Sequence, residues 1–389
     1  MMLTRRLFLA LGSAGLSYAF GRSLAARQVA SHTDRPLVGA IRWDAWYAPG
    51  SAPTKAVETS LSQEQYHWRV PFFARESTGK GSGEVVFPEI TQDTMAKEIK
   101  QAVFAGIDYW AFVAYGSADP MSRALKMFRE SPIKNELSYC IFTEFPRWGA
   151  RDKESPLIDE HIKLMGDDNY LRVSGGRPLY FLGFIHAADV ERRWGGYDNL
   201  QSQIQQFRAR VQAAGHGNPY LVLTGDKKLL NEQGALLTAD AVGSYAGVYG
   251  SVRGSYADLT RGAERDWNEL AKSRLPVVPT VMTGWDRRPR IERPVPWETK
   301  QRPGVGMENF FIAPTGPELS DHLHRSIEWQ AAQPAELKSP AILIYAWNEN
   351  DEGGWLVPTL PCRTERLEAL RKVLKDLHNE QAKQKKNLC

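Results

Sequence analysis

Cysteine and histidine are scarce in this chain of 389 residues, which contains three cysteines and eight histidines. The histidines are scattered instead of gathering where the predicted strands end, so the sequence offers no metal site built on a His/Asp cluster. Cys140 lies in an apolar stretch and is predicted to be a buried thiol, whereas Cys362 and Cys389 could pair. One thiol must stay unpaired within the chain.

Signals for nucleotide and nucleic-acid binding are also missing. No glycine-rich phosphate loop follows the first predicted strand and no other cofactor motif occurs, so we predict no cofactor. The net charge is only +4, and much of the excess lies near the two ends, which argues against a nucleic-acid-binding surface. Twelve Trp and fourteen Tyr are, by contrast, many for this length. They fit either a large aromatic core or platforms on which sugar rings stack.

The N-terminal segment has the features of an export signal. Thr4-Arg5-Arg6-Leu7 is a twin-arginine pattern, an apolar stretch follows to about Phe20, and Ser23-Leu24-Ala25 suits cleavage. We therefore predict that residues 1–30 are a twin-arginine signal peptide and leader, which would place the mature protein in the periplasm or outside the cell. An ordinary Sec signal or an uncleaved anchor is the alternative. No other segment resembles a membrane span, and we expect no stable membrane insertion after signal removal.

From residue 37 onward, apolar runs alternate with stretches of helical periodicity. This alternation predicts a single (β/α)8 barrel over residues 31–380, followed by a basic tail at 381–389. The strands are near-continuous apolar runs, as parallel strands covered on both faces should be. A doubly wound open sheet is the main competitor. The predicted strands are 37–43, 107–115, 137–145, 178–184, 220–224, 241–245, 276–282 and 341–347, and the predicted helices are 94–105, 121–130, 157–170, 199–213, 256–272, 318–332 and 363–381.

In a barrel of this type the chemistry lies at the carboxyl ends of the strands. Polar and aromatic side chains cluster at these ends, and the long segments 48–92 and 284–315, each of which follows a strand, are expected to be active-site loops. Simpler interpretations exist, since Asp44 could cap a turn and Glu144 could form a structural ion pair with Arg147. The residues that we predict to bind substrate are Trp43, Asp44, Trp46, Tyr47, Tyr115, Glu144, Tyr245, Trp285, Asp286, Arg290, Trp347, Asn348 and Trp355.

Two glutamates follow the last predicted strand. The apolar run stops at Asn348-Glu349, and Glu352 comes three residues later, so both carboxylates can reach one cavity. Neighbouring carboxylates push their pKa values apart, which suits one proton donor and one ionised group, the pair that glycosidases use. A hard-cation loop that includes Asp351, or a capping interaction, is the alternative, but the spacing is not that of an EF-hand. Glu349 and Glu352 are therefore predicted to be catalytic.

These residues resemble a motif of a known enzyme family. Trp347-Asn348-Glu349-Asn-Asp-Glu352-Gly353 is similar to the Asn-Glu-Trp-x-Glu-Gly motif of family 99 glycoside hydrolases of the endo-α-mannosidase type, and of the family 99-like domains found in polysaccharide gene clusters. Looser matches are Trp46-Tyr47, the segment from Tyr170 to Pro178, and Gly284-Trp285-Asp286 through Pro289-Arg290. The resemblance covers most of residues 37–360, although only the motif after the last strand is specific.

The resemblance implies a (β/α)8 barrel that cleaves α-mannosides outside the cytoplasm with net retention of configuration. It further implies that Glu349 acts as base on the 2-hydroxyl of the sugar, which attacks C1 to form an epoxide-like intermediate. Glu352 would protonate the leaving group and later activate water. The chain departs from the family at Asn350, where the family has Trp, and at Asp351, whose charge is expected to favour protonated Glu352. These departures bear on the substrate more than on the chemistry.

Three functions are compatible with the sequence. The first, which the presence of both glutamates favours, is an exported retaining glycoside hydrolase that cleaves a glycan or polysaccharide. The second is a non-catalytic carbohydrate-binding barrel or a polysaccharide-assembly protein, which would keep the aromatic residues without needing both glutamates. The third is a metal-dependent hydrolase on the same barrel, which the scattered histidines disfavour. The sequence predicts a carbohydrate partner and leaves the oligomeric state open.

Overall fold

The computed structural model describes residues 35–76, 85–247 and 253–375. The predicted signal peptide at 1–30 and the predicted basic tail at 381–389 lie outside these ranges, and so does Cys389. Across the described ranges, none of the helices combines the length and the apolar character that crossing a membrane requires.

Eight strands form a nearly closed parallel barrel in which neighbours follow one another in chain order. β8 returns to pair with β1, and Ala341 lies opposite Leu37. Pro279, which has no backbone N–H, divides β7 into two segments, the first paired with β6 and the second with β8. The strands are β1 (Leu37–Arg42), β2 (Tyr109–Val113), β3 (Ser138–Glu144), β4 (Arg177–Ile185), β5 (Tyr220–Gly225), β6 (Ala241–Gly243), β7 (Val277–Val278 and Thr280–Met282) and β8 (Ala341–Tyr345).

Helices lie between these strands and cover the outside of the barrel, so the predicted (β/α)8 fold is confirmed. At the start of several helices, the side chain of the N-cap residue accepts a hydrogen bond from a backbone N–H of the first turn. Ser255 and Thr315 form capping boxes with Asp258 and Glu318. The helices are α1 (Ala52–Leu61), α2 (Gln92–Ala105), α3 (Arg123–Glu130), α4 (Leu157–Leu164), α5 (Ala187–Trp194), α6 (Tyr197–Ala213), α7 (Lys227–Gln233), α8 (Tyr256–Leu270), α9 (Arg288–Glu292), α10 (Gly316–Ala331) and α11 (Glu365–Leu374).

The predictions were wrong or absent for the shorter helices. The helix predicted at 157–170 ends at Leu164, because Gly166 and the following Asp-Asp-Asn favour turns. Helices α1, α5, α7 and α9 were not predicted, since an element of one to three turns gives little periodic signal. α1 lies within the segment 48–92, where Ser51 caps it by accepting a hydrogen bond from the backbone N–H of Thr54 at 3.2 Å.

The core consists of the strands themselves and the helix faces that pack on them. All five residues of β2 and of β8 are buried, which matches strands covered on both faces. Trp110 of β2 and Trp347 after β8 are fully buried with ring centroids 5.1 Å apart. Fully burying a large apolar side chain stabilises a fold by roughly 1.5–3 kcal/mol. Cys140 of β3 is a buried free thiol, as predicted, and burial raises its pKa.

Because every barrel strand runs in the same direction, all eight carboxyl ends meet at one end of the barrel. The two long segments identified in the sequence, 48–92 and 284–315, both leave from this end, after β1 and β7. They stand on either side of the loop that follows β8, because β8 pairs with both β1 and β7. The fold therefore brings the residues of these three loops together.

Candidate active site

The loop after β8 carries both predicted catalytic glutamates. Asn348–Glu349 pairs with Gly354–Trp355 in a short antiparallel hairpin, and Asn350–Glu352 forms one 3-10 turn between them. Gly353 has a φ of 89°, and a Cβ there would lie 2.3 Å from the backbone nitrogen of Asp286. Only glycine permits so close an approach in this conformation. The hairpin therefore closes against the segment after β7, with Glu349 and Glu352 on one turn.

Arg290 of α9 joins the acidic side chains of this loop. Its guanidinium donates to Asp351 from Nε at 2.6 Å and from Nη2 at 3.2 Å. It also contacts Glu349 at 3.5 Å and donates to Oε1 of Glu352. One buried cation thus faces three carboxylates, which would repel one another strongly without it. Arg287 brings a second guanidinium within 3.4 Å of Glu352. We call these five residues the Arg290 cluster.

Two tyrosine hydroxyls hold the glutamates. Tyr245, which follows β6, donates to Oε1 of Glu349 at 2.9 Å. Tyr345, the last residue of β8, donates to Oε2 of Glu352. The two tyrosine rings lie 5.6 Å apart in an edge-to-face arrangement. Each glutamate is therefore held by its own tyrosine and by the shared Arg290, which fixes the directions of both carboxylates.

The environments of the two glutamates differ. Burial raises the pKa of Glu349 well above its ordinary value, and the charges of Glu352 and Asp351 add to this shift while Arg290 opposes it. Glu352 is more exposed, and two guanidiniums contact its carboxylate. Asp351 is bound to Arg290, and its charge also contributes to the raised pKa of Glu349.

Glu352 lines a cavity of about 580 Å³, here named the Glu352 cavity. Its other walls are Arg287 and the segment 297–301, which belongs to the long loop after β7. The volume lies within the roughly 300–1,000 Å³ that is usual for small-molecule pockets. Trp297 is 41% exposed, and its ring lies 5.6 Å from that of Trp43. An aromatic wall thus stands next to a carboxylate in an open cavity.

Three of the predicted binding residues form a partly exposed row beside this cavity. The ring of Trp43 lies 5.3 Å from the guanidinium carbon of Arg290, and its Nε1 donates to the hydroxyl of Tyr115 at 2.7 Å. Arg147 lies 4.0 Å above the Tyr115 ring and donates to Glu144 at 2.9 Å. The ion pair that was the simpler interpretation of Glu144 is therefore present, and it sits against the aromatic row.

Three other predicted binding residues are enclosed in the protein interior. Asp44 accepts from Arg42 at 2.8 Å, while Glu98 accepts from Tyr47 at 2.7 Å and from Nε1 of Trp347 at 2.6 Å. Arg42 and Glu98 are themselves 2.8 Å apart. We call these five residues the Arg42 cluster. Each is at most 3% exposed, so the structure places Asp44, Tyr47 and Trp347 under the site and not at its surface.

Asn348 connects the Arg42 cluster to the loop of the glutamates. Its side chain donates to Asp44 at 3.0 Å and accepts from the backbone N–H of Trp43 at 3.0 Å. Its backbone carbonyl accepts from Nε1 of Trp46 at 3.2 Å, and the Trp46 ring stacks on Phe87 at 5.3 Å. Asn348 and Trp46 are buried, and they fix the position at which Glu349 begins.

The remaining predicted residues, Trp285, Asp286 and Trp355, lie together on another side of the same loops. Arg69 donates to the Asp286 carboxylate at 2.6 Å, and this ion pair and that with Arg288 lower the pKa of Asp286 despite its burial. Trp285 packs on Tyr345 at 5.6 Å. These three residues line a second cavity, of about 260 Å³, and none of them lines the Glu352 cavity.

Sequence analysis did not include Arg287, Tyr345, Trp297 and Glu298 among the predicted site residues. Tyr345 was counted only as part of an apolar strand, although a hydroxyl two residues before Trp347 at the end of a buried strand was an available signal. Trp297 and Glu298 lie in the segment 284–315, where nothing in the sequence indicates which side chains point inward. Glu298 contacts Arg287 and lies 3.6 Å from Arg290.

Over the ranges that the structure describes, no three His, Cys, Asp or Glu side chains are grouped so as to hold a metal ion. His186 and Asp226, at the ends of β4 and β5, form an exposed pair at 2.8 Å. His322 and His324, which are close in sequence, belong to α10, where His322 is buried and stacks on Trp267 at 5.5 Å. Neither histidine group lies at the Arg290 cluster.

No protein-family profile and no curated protein matches this chain. Solved structures do match its fold. Two of them are structures of the GH99 endo-α-mannosidase from Bacteroides thetaiotaomicron, one of which contains bis-tris propane. The matches cover 87% of this chain and 95% of the other, with TM-scores of 0.52 and 0.51 and sequence identities of 14% and 13%. The resemblance predicted from the motif after β8 is therefore confirmed at the level of the fold, which the chain has in common with a family 99 glycoside hydrolase.

Proposed function

We propose that the protein is a glycoside hydrolase that cleaves a glycan or polysaccharide with net retention, with Glu349 as the base and Glu352 as the acid/base. One observation carries this proposal. Two carboxylates on a single turn, in different electrostatic environments, are oriented by one arginine where Glu352 opens onto a cavity of about 580 Å³. Glycosidases need one carboxyl that donates a proton and one that is ionised at the bond to be cleaved.

The two glutamates have different roles in the proposed reaction. Glu352 transfers its proton to the glycosidic oxygen as the bond from C1 to that oxygen breaks. Glu349 takes the proton of the 2-hydroxyl, whose oxygen forms a bond to C1 and gives a three-membered ring. Water then loses a proton to Glu352 and attacks C1, the bond from O2 to C1 breaks, and O2 recovers its proton from Glu349. Two inversions at C1 leave the configuration retained.

The glutamate with the raised pKa is the proposed base, not the proposed acid/base. Glu349 is the buried carboxyl with the raised pKa, whereas Glu352 contacts Arg290 and Arg287. The proposed reaction requires that Glu349 is ionised while Glu352 is protonated. A sugar that occupies the Glu352 cavity and displaces Arg287 from Glu352 would favour this arrangement.

The sugar and the location are proposed on other grounds. Two of the solved structures that match the fold are of an endo-α-mannosidase, so α-mannose-containing glycans are the first substrates to test. The twin-arginine pattern Thr4-Arg5-Arg6-Leu7 supports export. Replacing both arginines by lysine should abolish accumulation of the processed chain outside the cytoplasm, as measured by fractionation. Unchanged export of that double variant would contradict the twin-arginine route.

The deciding experiment is hydrolysis of a polysaccharide panel by the mature chain and by Glu352→Gln. The panel should hold yeast α-mannan, dextran, pullulan, β-1,3-glucan, xylan and alginate, with release of reducing ends as the readout. Asp226→Asn is the matched control, because it makes the same carboxylate-to-amide change in an exposed pair at the same end of the barrel. We expect release by the native chain and by Asp226→Asn, and loss of at least about 10³-fold in Glu352→Gln.

Two results would contradict the hydrolase. Near-native release by Glu352→Gln would remove this residue from the chemistry. Release by neither chain, with measurable sugar binding by both, would favour the carbohydrate-binding or polysaccharide-assembly barrel.

A further inference from the structure

The second cavity, of about 260 Å³, lies between the loops that follow β1, β7 and β8. It shares no lining residue with the Glu352 cavity. Three charged side chains line it, those of Arg69, Asp286 and Arg288, and the rest of its wall is aromatic or aliphatic apart from one glycine. Charged groups in so apolar a wall are costly to bury unless they are paired.

Positive charge exceeds negative charge in this wall. Arg69 donates to the carboxylate of Asp286 at 2.6 Å and to its backbone carbonyl at 2.9 Å. Arg288 donates to both oxygens of the same carboxylate, at 2.8 and 2.7 Å. A further carboxylate that acts on Arg288, that of Glu292, does not line the cavity and accepts from Tyr66. Two guanidiniums therefore share one carboxylate, and the wall has one cation in excess.

A third guanidinium adds to this excess. Arg366 of α11 lies over the Trp355 ring, 3.6 Å from its centroid, and donates to the backbone carbonyls of Thr283 and Trp355 at 2.7 Å. Within the described ranges, no carboxylate lies at ion-pair distance from it. Burial lowers the pKa of Arg366 to about 9, with the charge of Arg69 adding to the shift, so Arg366 is still a cation at neutral pH. An anion that entered the cavity would relieve this repulsion.

The same wall contains a hydrogen-bond donor that has no acceptor. The Nε–H of Arg69 is buried, and none of the described residues accepts its proton. Arg69 itself is fully buried, and burial lowers the pKa of its guanidinium despite the ion pair with Asp286. A buried donor without an acceptor destabilises a fold unless a ligand or water satisfies it. An oxyanion in the cavity would supply the acceptor and the missing negative charge together.

The apolar part of the wall indicates what the anion is attached to. Among the described residues that line the cavity there is no Ser, Thr, Asn, Gln or Tyr, so the hydroxyls of a sugar would find few partners. Guanidiniums cover one face of the Trp355 ring and one of the Phe310 ring. A cavity of roughly 150 Å³ is enough for benzene, so about 260 Å³ has room for one flat ring that bears a carboxylate.

We propose that the second cavity binds a small organic anion, a carboxylate attached to an aromatic or other apolar ring, which is not part of the glycan that reacts at Glu349 and Glu352. Its carboxylate would contact Arg69 and Arg288. Trp68 and Ile312 of the wall are 38% and 52% exposed, so the cavity can be reached from solvent. This proposal goes beyond the proposed function, and it does not depend on hydrolysis.

The test uses the native chain and ligands that differ in one property at a time. Phenylacetate and benzoate are compared with the uncharged phenylacetamide and benzamide, with the acidic sugar glucuronate, and with inorganic sulfate. Calorimetry measures the affinity, and thermal unfolding measures the stabilisation that binding to the folded state produces. We expect phenylacetate or benzoate to raise the Tm and to bind at least about tenfold more tightly than its amide, glucuronate or sulfate.

A matched pair of variants tests the arginines. Arg288→Met removes one cation of the wall and keeps an apolar side chain of similar length. Arg123→Met is the control, because Arg123 has the same exposed side-chain fraction, 30%, and pairs with Glu89 elsewhere on the barrel. Arg288→Met should weaken binding of the carboxylate roughly tenfold, Arg288→Lys should recover part of the loss, and Arg123→Met should bind as the native chain does.

Four results would overturn the proposal. They are equal affinity for the acids and their amides, tighter binding of glucuronate than of phenylacetate and benzoate, binding of sulfate as tight as that of the ring carboxylates, and absence of binding by the native chain. The second would assign the arginines to an acidic unit of a glycan, and the third would leave the rings without a role. Because these comparisons are made in the native chain, they hold even if Arg288→Met does not fold.

Discussion

The Arg42 cluster and the Arg290 cluster have similar chemistry and different surroundings. Each places a buried arginine among carboxylates at the carboxyl end of the barrel. In the Arg42 cluster every member is enclosed, and Glu98 accepts hydrogen bonds from a tyrosine hydroxyl and an indole N–H and forms an ion pair with the guanidinium. In the Arg290 cluster three carboxylates share one buried cation, and Glu352 opens onto a cavity.

This difference separates a scaffold from a site. A closed ion-pair cluster is costly to disrupt but has no room for a ligand. An acidic cluster with more carboxylates than buried cations retains a carboxyl with a raised pKa and an accessible partner, which is what proton transfer requires. Substitutions should therefore affect stability in the Arg42 cluster and turnover in the Arg290 cluster.

The largest expected effect is on turnover. Glu349→Gln should lower the rate of hydrolysis by at least about 10³-fold, because the amide cannot take the proton of the 2-hydroxyl. Its free energy of unfolding should not fall, since the change removes one of three carboxylates that surround Arg290. Reducing-end assays and urea unfolding measure the two quantities. A Glu349→Gln variant that unfolds more easily and keeps its turnover would contradict the catalytic role of the Arg290 cluster and indicate a structural one.

The second largest effect is on stability. Glu98→Ala should lower the free energy of unfolding by about 3–5 kcal/mol, because it leaves Arg42 short of a counter-ion and removes the acceptor of Tyr47 and Trp347. Turnover of the folded fraction should stay within severalfold of native. Glu130→Ala is the control, since that glutamate is exposed and its ion pair with Lys126 is long, at 4.0 Å, and contributes little to stability. If Glu98→Ala loses turnover as severely as Glu349→Gln, the Arg42 cluster belongs to the site.

A third effect distinguishes the clusters by pH. Burial raises the pKa of Asp44 to about 6, above the value of the unfolded chain. The native state therefore holds this proton more tightly, so the stability from Asp44 is full below about pH 4 and is lost as the pH rises through about 6. The free energy of unfolding of Asp44→Asn, relative to native, should rise by roughly 2–3 kcal/mol between pH 4 and pH 7. A pH-independent difference in urea unfolding would contradict this.

The smallest effect concerns the pH dependence of turnover. The hydroxyl of Tyr245 donates to Glu349 and so favours the ionised carboxylate. Tyr245→Phe should raise the pKa of Glu349 further and move the acidic limb of kcat/KM to higher pH by about one unit. Tyr139→Phe, whose hydroxyl donates to Asp167 away from the site, should leave the limb in place. A shift to lower pH, or equal shifts in both variants, would exclude Glu349 as the base.

Much of the fold could be predicted from the sequence. All eight barrel strands fall within about two residues of their predicted bounds, because a buried parallel strand is an uninterrupted apolar run with a clear beginning and end. The position of Glu349 and Glu352 directly after β8 was predicted for the same reason, since carboxylates stand out after such a run. Short helices such as α7 and α9 were missed, because one or two turns bury too few residues to show a period.

The sequence by itself determined the barrel, the positions at which its strands end, and the glutamate pair after β8. Only the tertiary structure decided which strand-end residues open onto a cavity. Asp44 and Trp347 are residue types that often bind sugars, but both are buried here. They lie beside Glu98, a residue of α2 that is distant from both in sequence. Arg290 reaches Glu349 and Glu352 because β7 and β8 are neighbours and Gly353 permits close contact. Such pairings depend on three-dimensional proximity, which local periodicity and composition do not encode.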